Sequence, residues 1–104
     1  MTRIVYLNGE YLPADEAKVS IFDRGYIFGD GIYEVAPVFE GAVVDKAYLL
    51  ERLDRSLTQI QLDWPCSQEE YLNVMAELVR RNSLYEGVVY SQVTRGVAER
   101  DFPF

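Results

Sequence analysis

The sequence predicts an α+β domain, a mainly antiparallel sheet with two helices on one face. Three observations carry that reading. Short apolar runs broken by Asn8-Gly9 and Glu40-Gly41 have the form of β-hairpins. Two later stretches repeat leucines and other apolar residues at helical spacing. A β-branched run then closes the pattern at residues 88–94. The order of strands, two helices and a final strand puts the helices on one side of the sheet.

Ile4-Val5-Tyr6-Leu7 and Glu10-Tyr11-Leu12 flank Asn8-Gly9, which suits a type I′ turn. Pro13-Ala14-Asp15 breaks the pattern, and residues 18–21 are expected to add a short extended piece. Residues 32–39 form a second strand, turned at Glu40-Gly41 into Ala42-Val43-Val44. Asp45 stands at the N-cap position of a helix over residues 46–61, with Leu50, Leu53, Leu57 and Ile60 as its apolar stripe. Trp64-Pro65 ends the connection. Ser67-Gln68-Glu69-Glu70 has the form of a capping box. The second helix runs to about Asn82 with Leu72, Met75, Leu78 and Val79 inward.

A chain of 104 residues has room for one domain with a moderate core. Its 49% hydrophobic and 13% aromatic content is that of a folded chain. The net charge of −7 argues against nucleic-acid binding, which needs clustered Lys and Arg. There is no histidine, which removes serine-type triads and His-bearing metal sites; no metal is expected. The single cysteine, Cys66, has no internal disulfide partner and reads as a small packing residue in a reducing compartment. No apolar run reaches membrane-spanning length and the first residues lack a signal-sequence pattern, so a cytoplasmic location is expected.

The chain is organised around residues 22–35, where Gly25, Gly29 and Gly31 alternate with Tyr26 and Phe28. Their spacing matches neither a dinucleotide-binding nor a Walker phosphate loop. It implies a loop folded tightly against a packed surface. Asp23-Arg24-Gly25-Tyr26, Phe28-Gly29-Asp30-Gly31 and Tyr33-Glu34-Val35 together closely resemble the N-terminal signature of D-amino-acid transaminases. These are class IV, pyridoxal-phosphate-dependent aminotransferases. The resemblance covers essentially the whole chain, as the N-terminal domain of such an enzyme. It implies transfer of an amino group from a D-amino acid to a 2-oxo acid. It also implies a following domain with the Schiff-base lysine, and a homodimer. Residues 1–104 alone would then be inactive and would not hold the cofactor stably.

The resemblance assigns roles residue by residue. Tyr33 and Val35 alternate onto one face of their strand, on the substrate side. Relatives that handle branched-chain substrates or act as lyases tend to have Phe-Glu here, so Tyr33-Glu34-Val35 leans towards D-amino acids. Arg52 corresponds to an arginine that holds the cofactor phosphate, chemistry suited to a guanidinium fork. From the residues alone this role has weak support, because charged helix residues are common and Arg52 also reads as a solvated helix arginine pairing with Glu51 or Asp54. Arg100 matches an arginine that binds the substrate carboxylate from the neighbouring subunit, but Phe102 stands where many relatives have histidine. Asp23, Arg24 and Asp30 read as braces of the glycine loop, and Lys18 and Lys46 as surface lysines. A branched-chain aminotransferase or aminodeoxychorismate lyase remains open within the family. A non-catalytic, self-associating module remains open outside it.

Overall fold

The computed structural model describes residues 2–97. Strand β1 (Ile4–Leu7) pairs antiparallel with β2 (Glu10–Pro13). The intervening Asn8 and Gly9 have φ of 48° and 95°, the positive values a type I′ turn requires. A 3-10 turn at Ala14–Glu16 follows. Residues 18–21, where the sequence suggests a short extended piece, form no strand. Ser20 commits the chain to a turn instead: its hydroxyl accepts from the Phe22 amide at 3.0 Å and its carbonyl from Asp23 at 3.1 Å.

A short helix α1 (Arg24–Phe28) leads through Gly29 and Asp30 into the long strand β3 (Gly31–Phe39). The turn at Glu40-Gly41 reverses β3 into β4 (Ala42–Val43), as the sequence implies. Helices α2 (Lys46–Gln59) and α3 (Gln68–Arg81) come next, then β5 (Gly87–Thr94). β5 returns beside β3, antiparallel, from Gly31 opposite Thr94 to Val38 opposite Gly87.

The strands form two sheets where one was expected: β1–β2 alone, and β4–β3–β5. The side chain of Asn82 explains the separation. Its Oδ1 accepts from the Ile4 amide at 2.8 Å, and its Nδ2 donates to the Ile4 carbonyl at 2.9 Å. That amide takes the place of a neighbouring strand and docks the first hairpin on the end of α3. Arg81 adds its guanidinium over the Tyr11 ring at 4.3 Å.

The core lies between the three-stranded sheet and the two long helices. Ala36, Val38 and Val89 face Leu49, Leu53 and Leu57 of α2 and Tyr71, Met75 and Val79 of α3. Leu49, not Leu50, is thus the fully buried first member of the α2 stripe, and Leu50 is half-buried. The helix ends at Gln59, so Ile60 sits at its C-cap, and Gln61 turns the chain away at φ 55°. Asp45 holds the N-cap position but at φ 55° its side chain caps nothing; its carbonyl accepts from the Leu49 amide. Ser67 does cap α3, accepting from the Glu70 amide at 3.0 Å. Leu72 and Leu78 are half-buried flanks of the α3 stripe, and Cys66 packs against the core as expected.

Candidate functional site

The glycine loop is held from both ends. Asp23 caps α1 through its carboxylate, which accepts from the Gly25 amide at 2.8 Å. Asp30 Oδ2 accepts from Arg24 Nε and from Arg95 Nε, each at 2.9 Å. Arg95 also donates to the Ile60 carbonyl at 2.6 Å, tying the loop to the end of α2. These two arginines pull the Asp30 carboxyl below its ordinary value. Asp23, Arg24 and Asp30 therefore brace the loop, as the sequence suggests.

The glycines are needed for contact as well as for turning. A Cβ on Gly31 would lie 2.7 Å from the Val93 carbonyl oxygen, and one on Gly25 would lie 2.3 Å from Thr94 Cγ2. The loop thus lies directly on the end of β5. Between loop and sheet is an open cleft of about 200 Å³, lined by Gly25, Gly29, Gly31, Ile32, Tyr33, Tyr90 and Gln92.

Strand alternation decides what the cleft presents. Tyr33, Val35 and Phe39 point away from the helices; Glu34, Ala36 and Val38 point towards them. Tyr33 and Val35 share one face, as expected. Tyr33 is 63% exposed, and its ring stacks on Tyr90 with centroids 5.6 Å apart. The Tyr90 hydroxyl donates to Gln92 Oε1 at 3.0 Å. Tyr90 and Gln92 were not singled out from the sequence, yet they line the cleft beside Tyr33. Their signal was the alternation of β5 itself, which sends residues 88, 90 and 92 outward.

Arg52 reaches β3 from α2, and pairs with neither Glu51 nor Asp54. Its Nε donates to Glu34 Oε2 at 2.6 Å, and its Nη2 to the Val35 carbonyl at 3.3 Å. Asp54 instead accepts from Trp64 Nε1 at 2.9 Å. Arg52 can reach Val35 because β4 pairs with β3 only at Val38 and Phe39, which leaves the lower edge of β3 open. The Arg52 side chain is 36% exposed and lies over the Tyr48 ring, 5.1 Å from its centroid. The bond to Glu34 chiefly raises its already high pKa. The structure thus sets Arg52 at the edge of β3 beside Glu34 and the Val35 carbonyl, while Tyr33 and Val35 share the outer face; of the three, Tyr33 alone lines the cleft.

Arg100 and Phe102 lie outside the described residues. Lys18 is exposed and lies in the stretch before the loop. Lys46 lines a separate groove between β4 and α3. No lysine lines the Tyr33 cleft. Among the described residues, no group of acidic, histidine or cysteine side chains could hold a metal ion. None of the described helices is long and apolar enough to cross a membrane.

Comparison with known proteins bears on the whole arrangement. The profile of the amino-transferase class IV family matches residues 31–104. A D-alanine aminotransferase of Staphylococcus haemolyticus is 45% identical over 100 residues, which cover 96% of this chain and 36% of that protein. A putative branched-chain-amino-acid aminotransferase of Methanocaldococcus jannaschii is 36% identical over 95 residues, 91% of this chain and 33% of that protein. The chain therefore spans about a third of the length of these curated relatives. The solved structure of a branched-chain amino acid aminotransferase from Escherichia coli superposes with a TM-score of 0.84 at 18% identity. The superposition covers 92% of this chain and 34% of that one, and shows a shared fold.

Proposed function

This chain belongs to the amino-transferase class IV family, and from that premise we propose that it is the N-terminal part of a D-amino-acid transaminase. The full protein moves an amino group from a D-amino acid to a 2-oxo acid. The observation that carries the reading is the placement of Tyr33, Val35 and Arg52. Two groups suited to a substrate share the open face of β3, and one suited to a phosphate stands at its edge, 3.3 Å from the Val35 carbonyl.

The implied cofactor is pyridoxal phosphate, and the residues of this chain fit one end of it. Arg52 offers a partly exposed guanidinium already fixed at the strand edge, the donor chemistry that phosphate oxygens take. No lysine lines the cleft, and in the proposed full-length protein the amine for the aldehyde end is supplied from outside residues 1–104. When bound, the cofactor supplies an electron sink for bonds broken at the substrate α-carbon.

The chain's own residues bind and orient. The Tyr33 phenol presents one donor and acceptor to the cleft, and Val35, two residues on along the same face of β3, continues that face with apolar surface beyond the cleft lining. Tyr90 backs the Tyr33 ring, and the glycine loop closes one side of the cleft. Arg100, from the neighbouring subunit of a homodimer, pairs with the substrate carboxylate. Phe102 in place of histidine removes one donor from that pairing and adds apolar surface. The cytoplasm, where the lone half-buried thiol of Cys66 stays reduced, is the proposed compartment.

The likeness to a branched-chain relative supports a second reading, an aminotransferase of branched-chain amino acids. Amino-donor profiling of the full-length protein separates the two. Turnover with D-alanine and a 2-oxo acid is the expected result. Turnover with L-leucine and none with D-alanine would establish the second reading. Pyruvate release from aminodeoxychorismate would identify a lyase instead.

A further inference from the structure

Glu34 is the one buried charged residue among those described, at 8% exposure, and it projects from β3 between core residues. A strand with one covered face ordinarily turns its charges outward. Here the only charged residue of β3 turns inward, while tyrosine, valine and phenylalanine face out. Burying a carboxylate is costly unless a partner meets it, and a buried ion pair is often no more stable than apolar residues of the same volume. Stability alone is thus a weak reason for Glu34.

Its geometry supplies another. Glu34 Oε2 takes the Arg52 Nε at 2.6 Å, the Val35 carbonyl takes Nη2 at 3.3 Å, and Tyr48 lies under the guanidinium plane at 5.1 Å. The two hydrogen bonds engage two of the five N–H groups a guanidinium carries. A long, flexible side chain is thereby fixed in position and plane. The neighbouring strand is itself tied to α3. Ser91 lies opposite Glu34 in the β3–β5 register, and the Ser91 and Tyr71 hydroxyls are hydrogen-bonded at 2.8 Å.

We propose that Glu34 is a positioning residue: through Arg52 it pre-sets the guanidinium that receives the phosphate of the cofactor. The proposal rests on the reading of Arg52 as a phosphate ligand. Its physical content is preorganisation. An arginine held in its binding orientation loses less freedom when the dianion arrives, and that gain outweighs the positive charge that Glu34 neutralises.

The test measures cofactor affinity by absorbance titration of the full-length protein. Two probes are used, pyridoxal phosphate and phosphate-free pyridoxal. Arg52→Ala should weaken pyridoxal phosphate at least about tenfold, the scale of a lost charge-assisted hydrogen bond, and leave pyridoxal nearly unchanged. Glu34→Ala should weaken pyridoxal phosphate about tenfold with the same selectivity. Glu34→Gln keeps a neutral acceptor for Nε and should lose only about threefold. The double variant E34A/R52A should bind no more weakly than R52A, because both changes act through one contact.

Equal or tighter phosphate binding in both Glu34 variants, with R52A weakened, would overturn the proposal alone. So would an equal loss for both probes, which marks a general structural role. Should Glu34→Ala not fold, the Gln variant decides between these outcomes. If R52A binds pyridoxal phosphate like the parent, the reading of Arg52 fails and the proposal fails with it.

Discussion

The two faces of β3 are built from similar residues to opposite ends. Ala36 and Val38 point under the helices and are sealed by Leu53 and Leu57, which are fully buried. Tyr33, Val35 and Phe39 point the other way and stay open to solvent, though Val35 and Phe39 are wholly apolar and Tyr33 is largely so. Antiparallel sheets with one covered face usually alternate apolar and polar residues. β3 does not; its polarity is reversed at Glu34. The difference separates two jobs carried by one strand. The inner face holds the fold together, and the outer face, apart from the Tyr33–Tyr90 stack, stays open, as the proposed substrate side requires.

The strongest way to break this contrast is to empty one position on each side of β3, in the α2 layer that covers its inner face and on its open outer face. Leu53→Ala should destabilise the protein by about 2–5 kcal/mol, the range for a large aliphatic side chain removed from a closed core. Val35→Ala should cost about 0.5 kcal/mol or less in the isolated domain. Urea unfolding of both variants checks the difference. Comparable losses would mean that the outer face carries as much of the stability as the inner one.

The loop that borders the outer face should be less forgiving. Gly31→Ala puts a methyl group 2.7 Å from the Val93 carbonyl, a backbone atom that cannot rotate away. A cost of about 1–3 kcal/mol is expected, as for overpacking elsewhere. A methyl at Gly25 meets Thr94 Cγ2 at 2.3 Å, so Gly25→Ala should be partly relieved by Thr94→Ser, which removes that carbon. A double-mutant cycle measures the relief.

Much of the inner face was legible in the sequence, and the reason is local. Leu53, Leu57, Met75 and Val79 repeat at the helical period, Asn8-Gly9 specifies its own turn, and Ser67 caps the helix it precedes. Tyr71 was missed although it lies four residues before Met75 and eight before Val79; a tyrosine contributes to a stripe by its ring, not by its polarity. The partners of charged residues were harder to read. Arg52 finds Glu34 across 18 positions of sequence and Arg95 finds Asp30 across 65. Residue type says that a guanidinium can pair, while only the fold says with what. The same applies to the cleft: Tyr33 stood out in the signature, but Tyr90 and Gln92 join it through strand register alone.

An ion pair on the solvent side of α3 sharpens the contrast with the one under β3. Glu77 accepts from Arg80 and Arg81, three and four residues on, and these bonds bring its carboxyl from 4.5 down to about 2. A carboxyl whose pKa is lowered by folding contributes stability that is fully present above about pH 4.5. That contribution is lost as the pH falls towards about 2. An NMR titration of the Glu77 side chain should show the low midpoint, and Glu77→Gln should remove this part of the acid dependence. The effect on stability is expected to be small, because the group is reached by solvent and salt.

The smallest expected change in stability is also the most informative about the outer face. Tyr33→Phe removes one hydroxyl that, among the described residues, has no hydrogen-bond partner, and it keeps the ring that stacks on Tyr90. Stability should stay within about 0.5 kcal/mol of the parent. A phenol placed there for structure would show a larger loss. A phenol placed there for substrate would leave the unfolding curve in place and lower turnover of D-alanine by the full-length protein. The two measurements together therefore say which of the two jobs of β3 the tyrosine serves, a question neither its exposure nor its position in the motif answers by itself.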